Sequence, residues 1–399
     1  MAGTASKPSY FNNHHKFSYL DGLRGTAALI VVFHHITLWF YPAMAIGLQA
    51  NAHSPSEVGL YKLPINILWN GNFAVCIFFV LSGFVLSYKF LATGDANVLT
   101  SGAFRRYPRL VIPVIGSILI GYLCVKFNLL WNDERVLLTR TSIEIQQLWT
   151  QTGGLLAALG QGFFGIFTHQ VQLPQQFNAV LWTMYFEFVG SFIVFGLLAL
   201  FRSIKLRKFA YLFLAILLIN TYFIAFIFGM ILAELHTAKK DRLFTSKPRW
   251  GALALFIGFL LGTVPYPTVD VTSYLGLTSN LLLTVQTTQF MHIFGAALII
   301  YGLVSTPAVQ KLFSFRPALF LGRVSFSLYL LHTFVIAVFS KRFFVYLVES
   351  QGVSYKASFI LTGLITVIAS LAVAYVYTIY VDEKAIKLSR LLYQKATSS

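Results

Sequence analysis

The sequence predicts an all-α membrane protein, a polytopic helix bundle of about ten transmembrane helices. Of its 399 residues, 57% are hydrophobic and only 11% are charged, whereas soluble domains carry roughly 25% charged residues. Apolar segments follow one another from Gly22 almost to the C-terminus, without a long linker rich in Pro, Gly or Ser. Because so apolar a chain cannot cover itself with water-facing side chains, the bilayer has to be part of its solvent.

Ten apolar segments are candidates for spans, each of which needs about 20 residues to cross the hydrocarbon core. The fifth and sixth form one stretch that breaks near Asn220, too long for one span and short for two. We predict a polar N-terminal tail over residues 1–18, one transmembrane domain over 19–381 and a C-terminal tail over 382–399. The ten segments are Gly22–Met44, Gly71–Phe90, Leu110–Leu130, Asn178–Phe201, Phe209–Ile219, Thr221–Leu235, Trp250–Val264, Phe290–Val304, Leu319–Phe339 and Ala357–Val381.

The positive charges of the connecting loops alternate as ten spans require. With both termini in the cytoplasm, 23 of the 30 Lys and Arg residues fall on the cytoplasmic side, in keeping with the positive-inside rule. Nine spans would place the basic stretch Lys239–Arg249 on the wrong side. We therefore predict an integral multi-pass protein with cytoplasmic termini and the long connection Trp131–Phe177 on the other side. The net charge of +17 belongs to these loops and does not indicate a nucleic-acid partner, because no Arg-rich arm is present.

The first span carries ionisable residues, which are costly inside a bilayer and are therefore functional candidates. Asp21 suits the N-cap of this helix. Arg24 and His35 are eleven residues apart, which puts them on one helix face with a rise of about 16 Å between them, and His34 lies about 80° from that face. The alternative is structural, with Arg24 at the lipid interface and His35 hydrogen-bonded in the core.

Three arginines, Arg105, Arg106 and Arg109, stand at the cytoplasmic mouth of the third span. Guanidinium groups bind phosphates through paired hydrogen bonds, so the cluster is a candidate phosphate site. The same charges also fit a purely topological role, because positive-inside loops carry them anyway.

Two further spans contain polar groups that need a partner. Glu187 is the one acid well inside a predicted span, and it is either catalytic or a structural partner of Arg24 or His35. In the ninth span Ser325, Tyr329 and His332 follow the i, i+4, i+7 spacing of one helix face. Such a stripe either lines a cavity or joins helices through hydrogen bonds. No P-loop, dinucleotide-binding glycine pattern, zinc spacing or G-x-S-x-G motif appears.

Taken together, these segments resemble the acyltransferase-3 family of membrane acyltransferases, from Tyr19 to about Val381. One departure is that Phe188 follows Glu187, where the common bacterial form has a second Glu. The matching elements, in order, are Asp21-Gly-Leu-Arg24-Gly followed by His35, Phe78-Phe-Val-Leu-Ser-Gly83-Phe, Arg106-x-x-Arg109, Trp182-Thr ending in Glu187, and Ser325-Phe-Ser-Leu-Tyr-Leu-Leu-His332.

The resemblance implies an enzyme that moves an acyl group from acyl-CoA, its co-substrate, to a hydroxyl of a sugar, lipid or secondary metabolite. It implies neither a metal nor a permanently bound cofactor. His35 would be the base, with Arg24 and Glu187 beside it. Whether His35 carries the acyl group covalently stays open, and a transporter and a catalytically silent receptor-like relative are the rival hypotheses. The expected donor contacts are Arg105, Arg106 and Arg109, and the expected lining of the substrate cavity is Asp21, Ser325, Tyr329 and His332.

Overall fold

A computed structural model of the protein describes a bundle of helices, without a strand in the described residues. Those residues are 17–130, 138–141, 148–149, 153–171, 175–201, 204–238, 248–266 and 285–398. The predicted tail up to residue 16, the basic stretch 239–247 and parts of the long connection 131–177 lie outside them. The main helices are α1 (Ser18–Phe40), α2 (Gly71–Thr93), α3 (Asn97–Lys126), α4 (Trp182–Leu200), α5 (Ile204–Leu217), α6 (Phe223–Thr237), α7 (Pro248–Gly262), α8 (Val285–Ser305), α9 (Arg316–Val335), α10 (Tyr355–Tyr377) and α11 (Glu383–Ser398).

Helices α1 to α10 coincide with the ten predicted spans. Seven of them are long and apolar enough to cross a membrane: α1, α2, α3, α4, α8, α9 and α10. The chain is thus an all-α polytopic bundle, as predicted. Helices α5, α6 and α7 have 14, 15 and 15 residues, fewer than the roughly 20 that a span needs. The chain turns between Leu217 and Phe223, which confirms the predicted break near Asn220.

The largest departure from the predicted boundaries is at α3, which begins at Asn97 rather than near Leu110. Hydropathy places the start of a span after the arginines, because charged residues are costly in lipid. A helix can nevertheless continue through charged residues where they face protein or water instead of lipid. Arg105, Arg106 and Arg109 therefore project from a helix and are held by it at fixed angles.

Glycines allow the backbones of two helix pairs to touch. A Cβ at Gly25 of α1 would lie 2.3 Å from the Gly322 nitrogen of α9, and one at Gly322 would lie 2.4 Å from the Asp21 carbonyl oxygen. Likewise, a Cβ at Gly83 of α2 would lie 2.3 Å from the Phe226 carbonyl oxygen of α6. Small residues at such crossings are typical of membrane helix packing. The α1–α9 contact brings the histidines of the two helices together.

Candidate active site

A cavity of about 540 Å³ lies between α1, α2, α3, α4, α9 and α11, and we call it the arginine cavity. Apolar side chains such as Phe78 and Leu110 line it together with an unusual density of charge. It also reaches Ser325, one of the predicted lining residues, whose hydroxyl donates to the Gly322 carbonyl oxygen of its own helix at 2.8 Å. The charged residues on its wall are Asp21, Arg24, Arg106, Arg109, Glu187, Arg323, Asp382 and Arg390.

Glu187 holds Arg106 in this cavity. The Arg106 guanidinium forms an ion pair with the Glu187 carboxylate and donates to the Glu187 backbone carbonyl at 3.2 Å. Ser82 donates its hydroxyl to both carboxylate oxygens, at 2.8 and 3.0 Å. A buried carboxylate and a buried guanidinium are stable only when they are paired. The partner of Glu187 is therefore Arg106, and neither Arg24 nor His35.

Arg24 and Arg109 differ in how their charges are met. The Arg24 guanidinium forms an ion pair with the Asp21 carboxylate, one turn earlier in α1, at 2.8 Å. Asp21 lies within the first turn of this helix, and the N-cap residue is Phe17. The prediction of an N-cap was wrong because the helix starts four residues before Gly22. Arg109 forms no direct ion pair with a described carboxylate, but Asp382 and Glu187 are close to it, and its side chain is exposed on the cavity wall. The cavity thus contains a guanidinium group that carboxylates approach without a direct ion pair.

Arg105 stands apart from its two neighbours. Its Nε donates to the Ser101 carbonyl oxygen at 3.0 Å, and its side chain faces Arg390 and Tyr393 of α11. It is absent from the described wall of the arginine cavity. One residue of helix turns the side chain by about 100°, which takes Arg105 off the face that Arg106 presents. A direct donor contact of Arg105 inside the cavity is therefore not supported by its position.

A second cavity, of about 300 Å³, lies at the other end of α1, and we call it the histidine cavity. His34 and His35 both line it, so the angular separation of about 80° does not remove His34 from the site. Val75 and Tyr329 line both cavities. The two cavities therefore adjoin at these side chains. The polar and aromatic part of its wall consists of Tyr61, Asn66, Trp69, Asn70, Asn72, Trp182 and Tyr266.

His332 fixes the hydrogen-bonding state of His35. Its Nδ1 lies 2.9 Å from the Leu328 carbonyl oxygen, which can only accept, so Nδ1 carries the proton and Nε2 is free to accept. His332 Nε2 lies 3.1 Å from His35 Nδ1, which also lies 2.9 Å from the Val31 carbonyl oxygen. His35 Nδ1 is therefore the donor. His35 Nε2 therefore keeps a free lone pair, as a general base requires, and the His35 side chain lines the histidine cavity.

His34 is held differently although it lies next in the chain. Its Nδ1 is 3.0 Å from the Trp69 carbonyl oxygen, and its ring packs on Gly71, where a Cβ would come within 2.7 Å. No described imidazole accepts a hydrogen bond from it. His34 thus supports the loop that closes the cavity, whereas His35 is joined to a second imidazole.

The polar stripe of α9 was expected either to line a cavity or to join helices through hydrogen bonds, and Tyr329 does both. Its hydroxyl lies 2.9 Å from Thr183 Oγ1 and donates to the Val180 carbonyl oxygen at 2.8 Å, which ties α9 to α4. Its ring at the same time forms the wall between the two cavities. Within the described ranges, no three His, Cys, Asp or Glu side chains come together as a metal site would require.

Comparison with known proteins shows to which family the chain belongs. The model of a family described as an acyltransferase domain matches residues 17–379. The protein belongs to the acyltransferase-3 family. It is 27% identical to the O-acetyltransferase PaAT-1 of Phomopsis amygdali, an alignment that covers 96% of this chain and 85% of the relative.

Two further relatives, acyltransferase clz18 of Cochliobolus lunatus and acyltransferase R4 of Phoma sp. (strain ATCC 20986 / MF5453), are each 23% identical. The alignments cover 95% and 94% of this chain and 96% of each relative. No solved structure matches the chain. The chain is thus a membrane acyltransferase with fungal relatives over nearly its full length.

Three charged residues of the arginine cavity, and Ser82, were not predicted as site residues. Ser82 lies in the motif Phe78-Phe-Val-Leu-Ser-Gly83-Phe without a predicted role of its own, and its hydroxyl binds Glu187. Arg323 had no predicted role, and Asp382 and Arg390 fell within the predicted C-terminal tail. After Val381, charged residues such as Asp382 and Arg390 alternate with apolar residues such as Ile386. This pattern is the signal in the sequence that a helix continues there.

Proposed function

We propose that the protein transfers an acyl group from acyl-CoA to a hydroxyl of a small molecule, with His35 as the general base. The observation that carries the proposal is the contact of His35 Nδ1 with His332, which leaves Nε2 as an acceptor on a ring that lines the histidine cavity next to a second cavity rich in arginine. The acyl group is acetyl in this proposal, because PaAT-1, similar over 96% of this chain, is an O-acetyltransferase.

The donor would occupy the arginine cavity. CoA carries phosphates, for which guanidinium groups are the preferred partners, and Arg109 lines the cavity without a direct ion pair to a described carboxylate. The pantetheine arm would follow α1 inward from Arg24, over a rise of about 16 Å to His35. The thioester would then lie near Val75 and Tyr329, where the two cavities meet.

The acceptor would enter the histidine cavity, where its hydroxyl donates to His35 Nε2. As the hydroxyl oxygen attacks the thioester carbonyl carbon, His35 takes its proton, and the new C–O bond gives a tetrahedral intermediate. Collapse breaks the C–S bond, and the CoA thiolate leaves and takes the proton back from His35. His332 and the Val31 carbonyl hold Nδ1–H throughout, which orients the ring and stabilises the transient imidazolium.

Arg24 and Glu187 have supporting roles in this scheme. Both oxygens of Glu187 accept from Ser82, and one also pairs with Arg106. Glu187 is therefore a positioning residue that keeps Arg106 on the cavity wall. Arg24, paired with Asp21 at the entrance of α1, would contact the donor. Asp21 would then set the angle of Arg24 and not touch the acceptor.

The proposed donor and the loop charges together predict to which side of the membrane each cavity opens. Acyl-CoA is made in the cytosol, so the arginine cavity would open to the cytoplasm, where the positive-inside rule also puts the basic loops. The histidine cavity would then open toward the opposite side. Its aromatic and amide wall, which includes Trp69, Trp182 and Asn72, suits a hydroxylated ring compound such as a sugar or secondary metabolite.

The proposal is tested with the purified protein in lipid nanodiscs and acetyl-CoA labelled in the acetyl group. Incubation with a small-molecule extract of the producing cells should give an O-acetylated product and an equal amount of free CoA. Nanodiscs without the protein are the control. A transporter would give neither product, and a receptor-like relative would bind CoA without releasing the label, so either result would refute the proposed reaction.

A further inference from the structure

The C-terminal helix α11 forms part of the arginine cavity, although it lies beyond residue 379, where the match to the family ends. Ile386 and Arg390 of α11 line the cavity, as does Asp382 just before it. The helix is held from two sides. Glu383 binds Arg323 of α9 at 2.7 Å, and the ring of Tyr393 lies 5.7 Å from that of Phe104 on α3. The predicted tail is thus a wall of the site.

Arg390 brings a charge into this wall that no described carboxylate neutralises. Arg24, Arg106 and Arg323 each have an acidic partner. Arg105 lies close enough to Arg390 for the two charges to repel one another. Two guanidinium groups held near one another on packed helices are stabilised when an anion lies between them. The pair therefore has the composition of a phosphate site.

The position of this pair distinguishes it from the other arginines of the cavity. Arg105 is one turn, about 6 Å, nearer to the start of α3 than Arg109. Arg390 and Arg109 are both exposed, Arg105 is half-buried and Arg106 is buried beside Glu187. Asp382, which is close to Arg109, precedes Arg390 by eight residues, about 12 Å of helix. The Arg105–Arg390 pair therefore lies nearer to the start of α3, and Arg109 lies further along both helices. CoA has the same order, because the diphosphate is nearer to the pantetheine arm than the 3′-phosphate on the ribose.

We propose that Arg390, with Arg105 beside it, binds the 3′-phosphate of CoA, while Arg106 and Arg109 contact the diphosphate. The inference rests on the proposed use of acyl-CoA and adds a recognition site on α11. A terminal phosphate monoester carries a charge near −2 and presents three oxygens, which suits two guanidinium groups. The enzyme would in this way distinguish CoA from its dephosphorylated precursor. The same assignment would explain why Arg105 lies outside the described cavity wall. Its guanidinium would contact the donor at the rim of the cavity.

The test is equilibrium binding of CoA and of dephospho-CoA to the purified full-length protein by titration calorimetry, which needs no acceptor. Wild-type protein should bind CoA about tenfold or more tightly than dephospho-CoA, the value of a charge-assisted contact. Arg390→Gln should weaken CoA binding by a similar factor and leave dephospho-CoA binding unchanged. Arg390→Lys, which keeps the charge, should fall between them.

Lys387→Gln is the matched control, because it removes one positive charge from the same helix at an exposed position outside the cavity wall. It should leave both dissociation constants unchanged. If wild type binds both nucleotides equally, or if Arg390→Gln weakens both to the same extent, the 3′-phosphate assignment is wrong while CoA binding stands. If wild type binds neither nucleotide, the proposed donor is wrong as well.

Discussion

The arginine cavity and the histidine cavity lie along the same helix α1 but are built on different principles. The first contains five arginines, of which Arg24, Arg106 and Arg323 are each balanced by a carboxylate. The described wall of the second cavity contains no Asp, Glu, Lys or Arg. Its two histidines, His34 and His35, are oriented by contacts of their Nδ1 atoms with backbone carbonyl oxygens.

This difference predicts how each cavity responds to substitution. An ionic site with several cations loses only part of its affinity when one is changed, because the others still attract the phosphates. A general base is a single lone pair, and nothing else supplies it once the ring is removed. Substitutions in the histidine cavity should therefore act on the rate constant, and those in the arginine cavity on donor binding.

The largest effect is expected for His35→Ala. Loss of the base should lower kcat by about 10²–10⁴-fold, while CoA binding is retained because the arginine cavity is unchanged. His332→Ala should have a smaller effect on kcat, since it removes the orientation of His35 and leaves its lone pair. The measurement is acetyl transfer under saturating acetyl-CoA, with CoA affinity from calorimetry.

His34→Ala is the control that the chain itself provides. It removes an imidazole from the same cavity and the neighbouring position, but one that hydrogen-bonds the Trp69 carbonyl and not His332. Most of the activity should remain. An inactive His34 variant together with an active His35 variant would mean that the base has been assigned to the wrong ring.

An intermediate effect is expected where the two cavities meet, at Val75. The opposite wall, Tyr329, is fixed by its hydrogen bonds to Thr183 and Val180, so a larger residue at position 75 has to narrow the junction. Val75→Phe should reduce turnover by about 10- to 100-fold, as expected when reacting groups are held apart, with unchanged CoA affinity. Val85→Phe, at a half-exposed position of the arginine cavity alone, should stay active. Full activity of Val75→Phe would show that the acyl group does not pass this point.

The smallest effect is expected for Arg109→Lys. Lysine keeps the charge but loses the planar fork, so KM for acetyl-CoA should rise about three- to tenfold while kcat stays constant. Arg316→Lys, the same change at an exposed position off the cavity wall, should leave both constants unaltered. An unchanged KM for Arg109→Lys would leave Arg109 as a determinant of topology only.

The sequence predicted the helices well because their signal is local. A run of apolar residues identifies a span without knowledge of its neighbours, and helices formed at all ten predicted places. The helix boundaries differ from the predicted ones at polar residues of the cavity wall. Helix α3 begins before its arginines, and a helix covers the segment predicted as a C-terminal tail. The charged composition of these segments indicates exposure to solvent, whereas the packing of the helices buries Asp382.

The candidate site was predicted in its residues but not in its pairings. The motif resemblance named His35, Arg106, Glu187 and His332 without saying which of them contact one another. Its ion pair with Arg106 joins residues 81 positions apart, and the His35–His332 contact joins residues 297 positions apart. Helical periodicity relates only residues within a few turns, so neither contact follows from spacing.

The sequence by itself determined that this protein is a membrane bundle of the acyltransferase-3 kind, since hydropathy and motif order are properties of the chain alone. The tertiary structure decided which groups act together. Close backbone contact at Gly25 and Gly322 lets α1 and α9 approach until His332 reaches His35. The same packing leaves Arg390 at the donor cavity, because side-chain partners across helices depend on crossing geometry, which composition does not encode.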